Sequence, residues 1–211
     1  MNKKMMLGML FMSLPVLVNA DIKPYVGLKF DRYAVTTEDA TMSDGAGYSA
    51  TLDNTKDRST VFGFGGGLII GDNSKIDLTY SSGNDKDSDF FNVKTSTLTY
   101  EYSFNNLGFQ RGWFIGGGIA SVEIEVDALL VLGSAGFGAS EEKATGAIFT
   151  GGYEYLFDNN IALELGVKAY AFDVDLKING EGSYLGTDFS VLEAEVPASL
   201  SSFYLQMNYV F

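Results

Sequence analysis

The feature that most constrains the fold is an alternation of apolar and polar residues that recurs along the chain. In the last segment, Phe203, Leu205, Met207, Tyr209 and Phe211 alternate with Ser202, Tyr204, Gln206 and Asn208. A period of two places successive side chains on opposite faces of a β-strand. Six such segments predict strands over residues 23–32, 75–81, 91–104, 145–157, 161–172 and 202–211, and two less regular segments with glycine triplets, 60–70 and 113–126, bring the number of predicted strands to eight.

The connections between these segments alternate in length. Residues 72–74, 105–112 and 158–160 are short and rich in turn formers, whereas 34–58, 127–143 and about 179–197 are long, and 82–89 is intermediate. Short turns at one end and long loops at the other are typical of an up-and-down barrel. The chain is therefore predicted to form one domain over residues 21–211, an all-β, eight-stranded antiparallel up-and-down β-barrel.

The first twenty residues have the pattern of an export signal. Lys3 and Lys4 precede an apolar stretch over residues 5–18, and small residues lead to Ala20, directly before Asp21. This order predicts a secretory signal peptide over residues 1–20, cleaved between Ala20 and Asp21. No later stretch reaches 18 consecutive apolar residues, so no helical membrane span is expected. The mature chain is then either a soluble exported barrel or a barrel in an outer membrane.

The side of the barrel wall that carries the charges separates these two classes. A soluble barrel encloses its apolar face, and a membrane barrel exposes that face to lipid. Aromatic residues gather near the short turns, where an interfacial girdle is expected: Tyr102, Phe104, Trp113, Phe114, Tyr155, Phe157, Tyr209 and Phe211. This favours a transmembrane barrel whose lumen holds a charge network of Lys29, Asp31, Lys75, Asp77, Glu101, Glu123, Glu125, Glu154, Glu164 and Lys168.

Several segments resemble the small outer-membrane β-barrel family of OmpA-like and opacity-protein-like barrels. Residues 23–28 (KPYVGL) are similar to its first strand, and residues 151–155 (GGYEY) and 162–168 (ALELGVK) to its sixth and seventh. The chain also ends on Phe211, with apolar residues at every second position before it. This resembles the terminal signal that the barrel-assembly machinery recognises, which implies an assembly role for Phe203, Leu205, Met207, Tyr209 and Phe211. The resemblance implies a Gram-negative outer-membrane location, in contact with membrane lipid and lipopolysaccharide.

Composition excludes several other functions. The 27 acidic residues outnumber the 14 basic ones, which disfavours binding to nucleic acid. The chain has no His and no Cys, the commonest general base and the thiolate ligand, so we expect no catalytic residues, no cofactor and no metal site. Glycine triplets at 65–67 and 116–118 lack the Lys-Ser/Thr of a phosphate-binding loop, and they indicate bends or close backbone approach.

The predicted function is structural or depends on contacts at the cell surface. Carboxylates outnumber ammonium groups in the predicted lumen, which suits either a cation-preferring pore or a plugged interior; eight strands leave little free space, which favours the plug. The apolar loop at 127–143 could cover the barrel mouth, touch lipid, contact an extracellular ligand, or extend the fifth strand to Leu132. Acidic loops suit solvation better than a calcium site. A soluble, secreted ligand-binding barrel is the alternative from another class.

Overall fold

The computed structural model describes residues 21–43, 49–52, 56–84, 91–104, 112–126, 136–137, 140–157, 160–184 and 187–211. The predicted signal peptide with Ala20 lies outside these residues, and Asp21 is the first residue within them. Within this part of the chain, the structure contains no helix of the length and hydropathy needed to cross a membrane.

All regular structure among the described residues is β-strand. The strands are β1 (Ile22–Thr37), β2 (Ala40–Ser43), β3 (Ser49–Leu52), β4 (Lys56–Ile70), β5 (Ser74–Asn84), β6 (Phe91–Phe104), β7 (Trp113–Val126), β8 (Gly136–Phe137), β9 (Ser140–Leu156), β10 (Ile161–Tyr170), β11 (Val174–Tyr184) and β12 (Thr187–Val210). Each of the eight predicted strands is present, and most are longer than the sequence pattern indicates.

Eight of the described strands close into a barrel in which every neighbouring pair is antiparallel. Their order is β1, β4, β5, β6, β7, β9, β10 and β12, and β12 pairs with β1 to close the ring. This seam runs from the pair Tyr25 and Val210 to the pair Thr37 and Ala198. The remaining short strands extend the sheet beyond the barrel: β2 and β3 form a hairpin beside β12, and β8 pairs with β11. The predicted eight-stranded up-and-down barrel is confirmed.

The short turns and both ends of the described chain lie at the same end of the barrel, which we call the lower end. Gly71 opens the β4–β5 turn at φ +61°, a left-handed conformation that glycine adopts without strain. Its amide donates to the carbonyl of Asp21 at 2.8 Å, and the amide of Phe211 donates to the carbonyl of Pro24 at 2.9 Å. The lower end is therefore tied together by backbone hydrogen bonds.

The outward face of the barrel changes from apolar to polar with distance from the lower end. On β12, the outward residues from Phe203 to Phe211 are apolar, but Ser199 and Ser201 above them are polar. On β7, Trp113, Ile115 and Ile119 face outward in the lower part and are 49–66% exposed. We call the lower part with apolar outward residues the belt zone, and the part above it the upper zone.

The belt has the dimensions of a lipid-contacting band. Nine residues from Phe203 to Phe211 extend roughly 30 Å along the strand. With the usual tilt of about 45°, they cover a height of about 20 Å, close to the ~25 Å apolar band of outer-membrane barrels. The soluble ligand-binding alternative requires polar residues at these outward positions, and the belt excludes it.

The interior changes in the opposite direction. In the belt zone, side chains such as Lys75, Asp77 and Glu164 point inward and are 1% exposed. In the upper zone, apolar side chains fill the interior, all of them 0–5% exposed: Tyr33, Val35, Val61, Val93, Val122, Ile124, Ile148 and Leu200. The upper zone therefore has the arrangement of a water-soluble barrel, with apolar residues inside and polar residues outside.

The long connections contain more β-structure than the sequence predicts. The prediction of a loop at about 179–197 is wrong, because β11 and the first part of β12 form a hairpin. Their pairing runs from Val174 with Ala198 to Tyr184 with Thr187. The expected loop at 34–58 contains the end of β1 and the β2–β3 hairpin. Of the apolar connection at 127–143, β8 and the start of β9 are described; residues 127–135 and 138–139 lie outside the described residues, so its role stays a prediction.

Candidate functional site

The candidate site is the charge network that fills the belt-zone lumen. It contains eight of the ten predicted residues, each 0–2% exposed: Lys29, Asp31, Lys75, Asp77, Glu101, Glu154, Glu164 and Lys168. They lie on the inward positions of β1, β5, β6, β9 and β10, so regular alternation along five strands brings them together. Five carboxylates thus face three ammonium groups, and each buried ion requires partners to offset its lost hydration.

Lys75 is the centre of the network. Its Nζ lies 3.4 Å from Oε2 of Glu101 and 3.9 Å from Oε1 of Glu154. It also donates a hydrogen bond to Glu164 and lies 5.1 Å above the ring of Tyr25. One ammonium group on β5 therefore links carboxylates from β6, β9 and β10 across the lumen.

Asp77 is held by neutral donors. The hydroxyl of Tyr25 donates to its carboxylate, and Nε2 of Gln206 donates to Oδ1 at 3.3 Å. The same amide nitrogen lies 2.9 Å from Oδ1 of Asn208. Asp77 thus links the first, third and last strands of the barrel through uncharged side chains.

The ring of Tyr204 separates two further lysines. Nζ of Lys29 lies 4.5 Å from the ring centroid and Nζ of Lys168 lies 5.2 Å from it. Lys29 pairs with Asp31 at 3.4 Å, and Lys168 donates to Oγ1 of Thr97 at 3.2 Å. The Tyr204 hydroxyl donates to Oε1 of Glu164 at 2.6 Å, which connects this group to the Lys75 cluster. A cation near an aromatic ring is stabilised further when both are shielded from water.

Glycines give the large lumenal side chains their space. A Cβ atom on Gly166 would lie 2.7 Å from the Tyr204 ring, and one on Gly67 would lie 2.9 Å from the Tyr25 hydroxyl. Real Cβ contacts are longer than this, so a side chain at Gly166 would displace Tyr204, and one at Gly67 would overlap the backbone carbonyl of Ile76 on the neighbouring strand as well as the Tyr25 hydroxyl. The close-approach interpretation of the first glycine triplet is confirmed at Gly67.

Apolar residues border the network at both ends. At the lower end, Tyr25, Ile69, Ala162 and Val210 form a buried cluster against which Leu156 packs. At the upper end, the apolar interior of the upper zone begins with residues such as Tyr33 and Val122. The charged groups therefore lie in a filled, enclosed section of the lumen.

Glu123 and Glu125 do not belong to this network, and their assignment to the lumen is wrong. On β7, the outward positions continue from Ile115 and Ile119 to Glu123 and Glu125, while the inward positions are occupied by Val122 and Ile124 at 0% exposure. Charges face outward here because this part of β7 lies above the belt. Phe114 also departs from the expected girdle, since it points inward and is 3% exposed.

The two outward glutamates share a partner that the sequence analysis missed. Nζ of Lys94 lies 2.6 Å from Oε1 of Glu123 and 2.9 Å from Oε1 of Glu125. The hydrogen bonds that Lys94 donates to these carboxylates, first to Glu123 and then to Glu125, raise the pKa of Lys94. In turn, the hydrogen bonds from Lys94 and Asn92 lower the pKa of the Glu125 carboxyl. All four groups lie in the upper zone, on the water-facing side.

The residues of the predicted assembly signal share one face of β12. Phe203, Leu205, Met207, Tyr209 and Phe211 face outward and are 39–63% exposed. Their strand pairs with β1 on one side and β10 on the other, so it occupies the closing position of the barrel. Recognition of this face by the assembly machinery stays a prediction.

Sequence reasoning missed the neutral members of the lumenal network: Tyr25, Thr97, Tyr204, Gln206 and Asn208. Each occupies an inward position in a strand that the sequence predicted correctly, so strand parity alone could have identified them. Their contacts with particular charges depend on barrel closure and register, which no local pattern specifies.

Comparisons with known proteins agree on the fold. No protein-family model matches the chain, and no curated protein sequence matches it significantly. Among solved structures, the chain is similar to outer membrane protein AlkL in DMPC bilayers (TM-score 0.59, 17% identity, covering 90% of each chain). It is also similar to neisserial surface protein A (TM-score 0.54, 15% identity, 89% of this chain and 97% of that one) and to OprG from Pseudomonas aeruginosa (TM-score 0.53, 14% identity, 90% and 96%).

The fold expected from the sequence resemblance is therefore confirmed. The chain has the fold of small outer-membrane β-barrels, with an apolar outward belt, a polar lumen and short turns at one end.

Proposed function

We propose that this protein is a non-conducting barrel that anchors β-structure above the outer membrane for contacts at the cell surface. The observation that carries the proposal is the length of the strands beyond the belt. More than half of the 24-residue strand β12 precedes Phe203, where the belt begins, and this part pairs with β11 over most of its length. Strands that only crossed a bilayer would need about 9–11 residues.

The filled lumen supports the non-conducting part of the proposal. The charged side chains are 0–2% exposed, and apolar groups border them above and below. An eight-stranded barrel has an interior just wide enough for side chains to fill. Because carboxylates outnumber ammonium groups in the network, any conduction that did occur would favour cations.

Planar-bilayer recording tests the non-conducting part directly. We expect the purified, reconstituted protein to give no conductance steps above those of protein-free bilayers. The variant Lys75→Met is recorded beside the wild type, because it removes the cation that links three lumenal carboxylates. Steady, cation-selective steps from the wild-type protein would contradict the plug and support the pore.

The absence of native cysteine permits a clean test of which part faces the cell exterior. Asp175→Cys introduces a thiol at an exposed upper-zone position, and Asp72→Cys introduces one in the exposed lower turn. On intact cells, a membrane-impermeant maleimide should label the first variant and leave the second unlabelled until the outer membrane is permeabilised. The reverse pattern would place the β11–β12 hairpin on the wrong side for surface contacts.

Shortening the hairpin tests the contact role itself. Replacing residues 176–196 with a two-residue turn should preserve the barrel, detected as heat-modifiable migration on gels. Cells that display this variant should lose binding to immobilised extracellular-matrix proteins and cell–cell aggregation, relative to cells that display the wild-type protein. Equal behaviour of the two in both assays would refute the contact role while leaving the fold intact.

A further inference from the structure

A groove on the outside of the barrel lies where the belt zone meets the upper zone. It has a volume of about 570 Å³ and follows the adjacent strands β4, β1, β12 and β10. Its lining combines two arginines, Arg32 and Arg58, with the apolar side chains of Val167 and Phe203. Cationic and apolar groups therefore meet in one depression on a face that the fold turns toward the membrane.

Strand register arranges these residues in two rows. The lower row pairs Arg32 with Phe203, and Phe203 with Val167 on the next strand. The upper row runs from Arg58 to Ala34, Ser201 and Ala169. The upper row contributes small side chains between Arg58 at one end and Phe149, the β9 partner of Ala169, at the other, and these small side chains form the floor of the groove.

The height of the two arginines above the belt matches a lipid headgroup. Arg32 is the next outward residue above Phe30 on β1, and Arg58 is the second above Phe62 on β4. Outward residues on one strand are about 7 Å apart. Arg32 thus lies one outward position along its strand from a lipid-contacting phenylalanine, and Arg58 lies two outward positions from one. Lys56, also exposed, is the next outward residue above Arg58.

Charge is distributed unevenly around the barrel at this height. On the β6–β7 side, the ammonium group of Lys94 lies beside two carboxylates, Glu123 and Glu125, so anions outnumber cations there. On the β1–β4 side, Arg32, Arg58 and Lys56 are grouped in a chain whose net charge is −13. A guanidinium group binds phosphate with two parallel hydrogen bonds, which gives it both affinity and geometric specificity.

We propose that this groove binds the phosphorylated headgroup of an outer-leaflet membrane lipid of the lipid A type. Arg32 and Arg58 contact the phosphate, Ala34, Ser201 and Ala169 leave room for the sugar, and an acyl chain lies along Val167 and Phe203. The site depends on the position of the barrel in the membrane and is independent of the proposed surface contacts, so either can fail without the other.

Native mass spectrometry of the full protein in a non-ionic detergent tests this site with diphosphoryl lipid A as the probe. We compare the wild type, Arg32→Gln/Arg58→Gln, and the matched control Lys94→Gln, whose cation lies outside the groove. The double variant should bind at least ~10-fold more weakly, as expected when charge-assisted hydrogen bonds are lost, and the control should bind like the wild type. All three substituted residues lie on the outer face, and heat-modifiable migration verifies that each variant folds.

Three further arms identify what is recognised. Dephosphorylated lipid A should bind as weakly to the wild type as diphosphoryl lipid A binds to the double variant. Raising salt from ~0.1 M to ~1 M should weaken wild-type binding, because the Debye length falls from ~10 Å to ~3 Å. Inorganic phosphate should not compete. Equal binding by the double variant, equal loss in Lys94→Gln, or displacement by inorganic phosphate would overturn the assignment.

Discussion

The belt zone and the upper zone are built from the same strands with opposite distributions of polarity. In the belt zone, Lys75 and Glu164 are buried inside while Leu205 and Met207 face outward. In the upper zone, Val122 and Ile124 are buried inside while Glu123 and Glu125 face outward. β7 crosses the boundary without a bulge or a change in register.

This comparison shows that alternation defines a strand but not which of its faces meets solvent. The backbone of a strand does not determine which face points inward, because the pleat is the same whether lipid or water surrounds the sheet. The surroundings decide: lipid requires apolar outward residues, whereas water tolerates charged ones. The same barrel wall therefore satisfies two solvents in succession, and the inversion marks the height at which the membrane ends.

The largest effect is expected from a comparison of the buried ion cluster around Lys75 with the exposed one around Lys94. Lys75→Met leaves three lumenal carboxylates without their shared cation, and we expect a destabilisation of about 3–5 kcal/mol. Urea titration of the protein in lipid vesicles measures it. Lys94→Met removes a cation that also bridges two carboxylates, but in contact with water, so its effect should be much smaller. Similar losses in both variants would mean that the zones do not differ in solvation.

The second test compares two isoleucines on opposite faces of β7. Ile124→Ala empties part of the packed upper interior and should destabilise the protein by about 2–5 kcal/mol. Ile119→Ala removes the same atoms from the lipid-facing side, where lipid chains can fill the space, so its effect should be smaller. The same unfolding measurement compares the two. A larger loss for Ile119→Ala would mean that this side chain is packed against protein, which would contradict its lipid-facing position.

The third test places one charge on either side of the boundary. Leu205→Arg puts a guanidinium group in the belt and should cost about 2–4 kcal/mol, whereas Ser199→Arg, six residues earlier on the same face, should cost about 0–1 kcal/mol. Refolding yield and urea midpoints in vesicles measure both. If Ser199→Arg were the more damaging, the belt would have to extend higher than the outward residues indicate.

The smallest expected effect is pH-dependent and confined to the upper zone. Hydrogen bonds from Lys94 and Asn92 lower the pKa of Glu125 in the folded state below its ordinary value. A carboxyl with a lowered folded-state pKa stabilises the fold above its unfolded-state pKa, and this contribution disappears as pH falls through the folded-state value. The stability difference between wild type and Glu125→Gln should thus be detectable near pH 7 and vanish in acid. A difference that grows in acid would contradict the pairing.

Much of the fold follows from local pattern, and the exceptions have physical causes. The strands and the inward placement of Lys29, Asp31 and Lys168 are predictable because period two holds without interruption on β1 and β10. The hairpin of β11 and β12 was expected as a loop, since its polar residues resemble a solvated connection. Glycine and polar residues interrupt the alternation over residues 179–188, so pattern analysis loses its signal there.

The sequence predicted that the candidate site consists of charged residues, but it identified only some of these residues correctly. Parity counted from Ile115 through Gly117 and Ile119 places Glu123 outward, so the sequence contained the information that corrects its lumenal assignment. The contacts of Lys94 with Glu123 and of Tyr204 with Glu164 could not be predicted from the sequence. They depend on the register between strands, and local alternation is equally compatible with every shift of two residues.

The seam between β1 and β12 joins residues far apart along the chain, as in the pair Tyr25 and Val210. Contacts of such long sequence separation form late, because the entropy of ordering the intervening chain must be lost first. Until they form, β1 and β12 each present an unpaired edge, which hydrocarbon does not tolerate and which invites aggregation in water. Closing the seam therefore removes both edges in one step, and until that step the unclosed sheet needs protection from other chains.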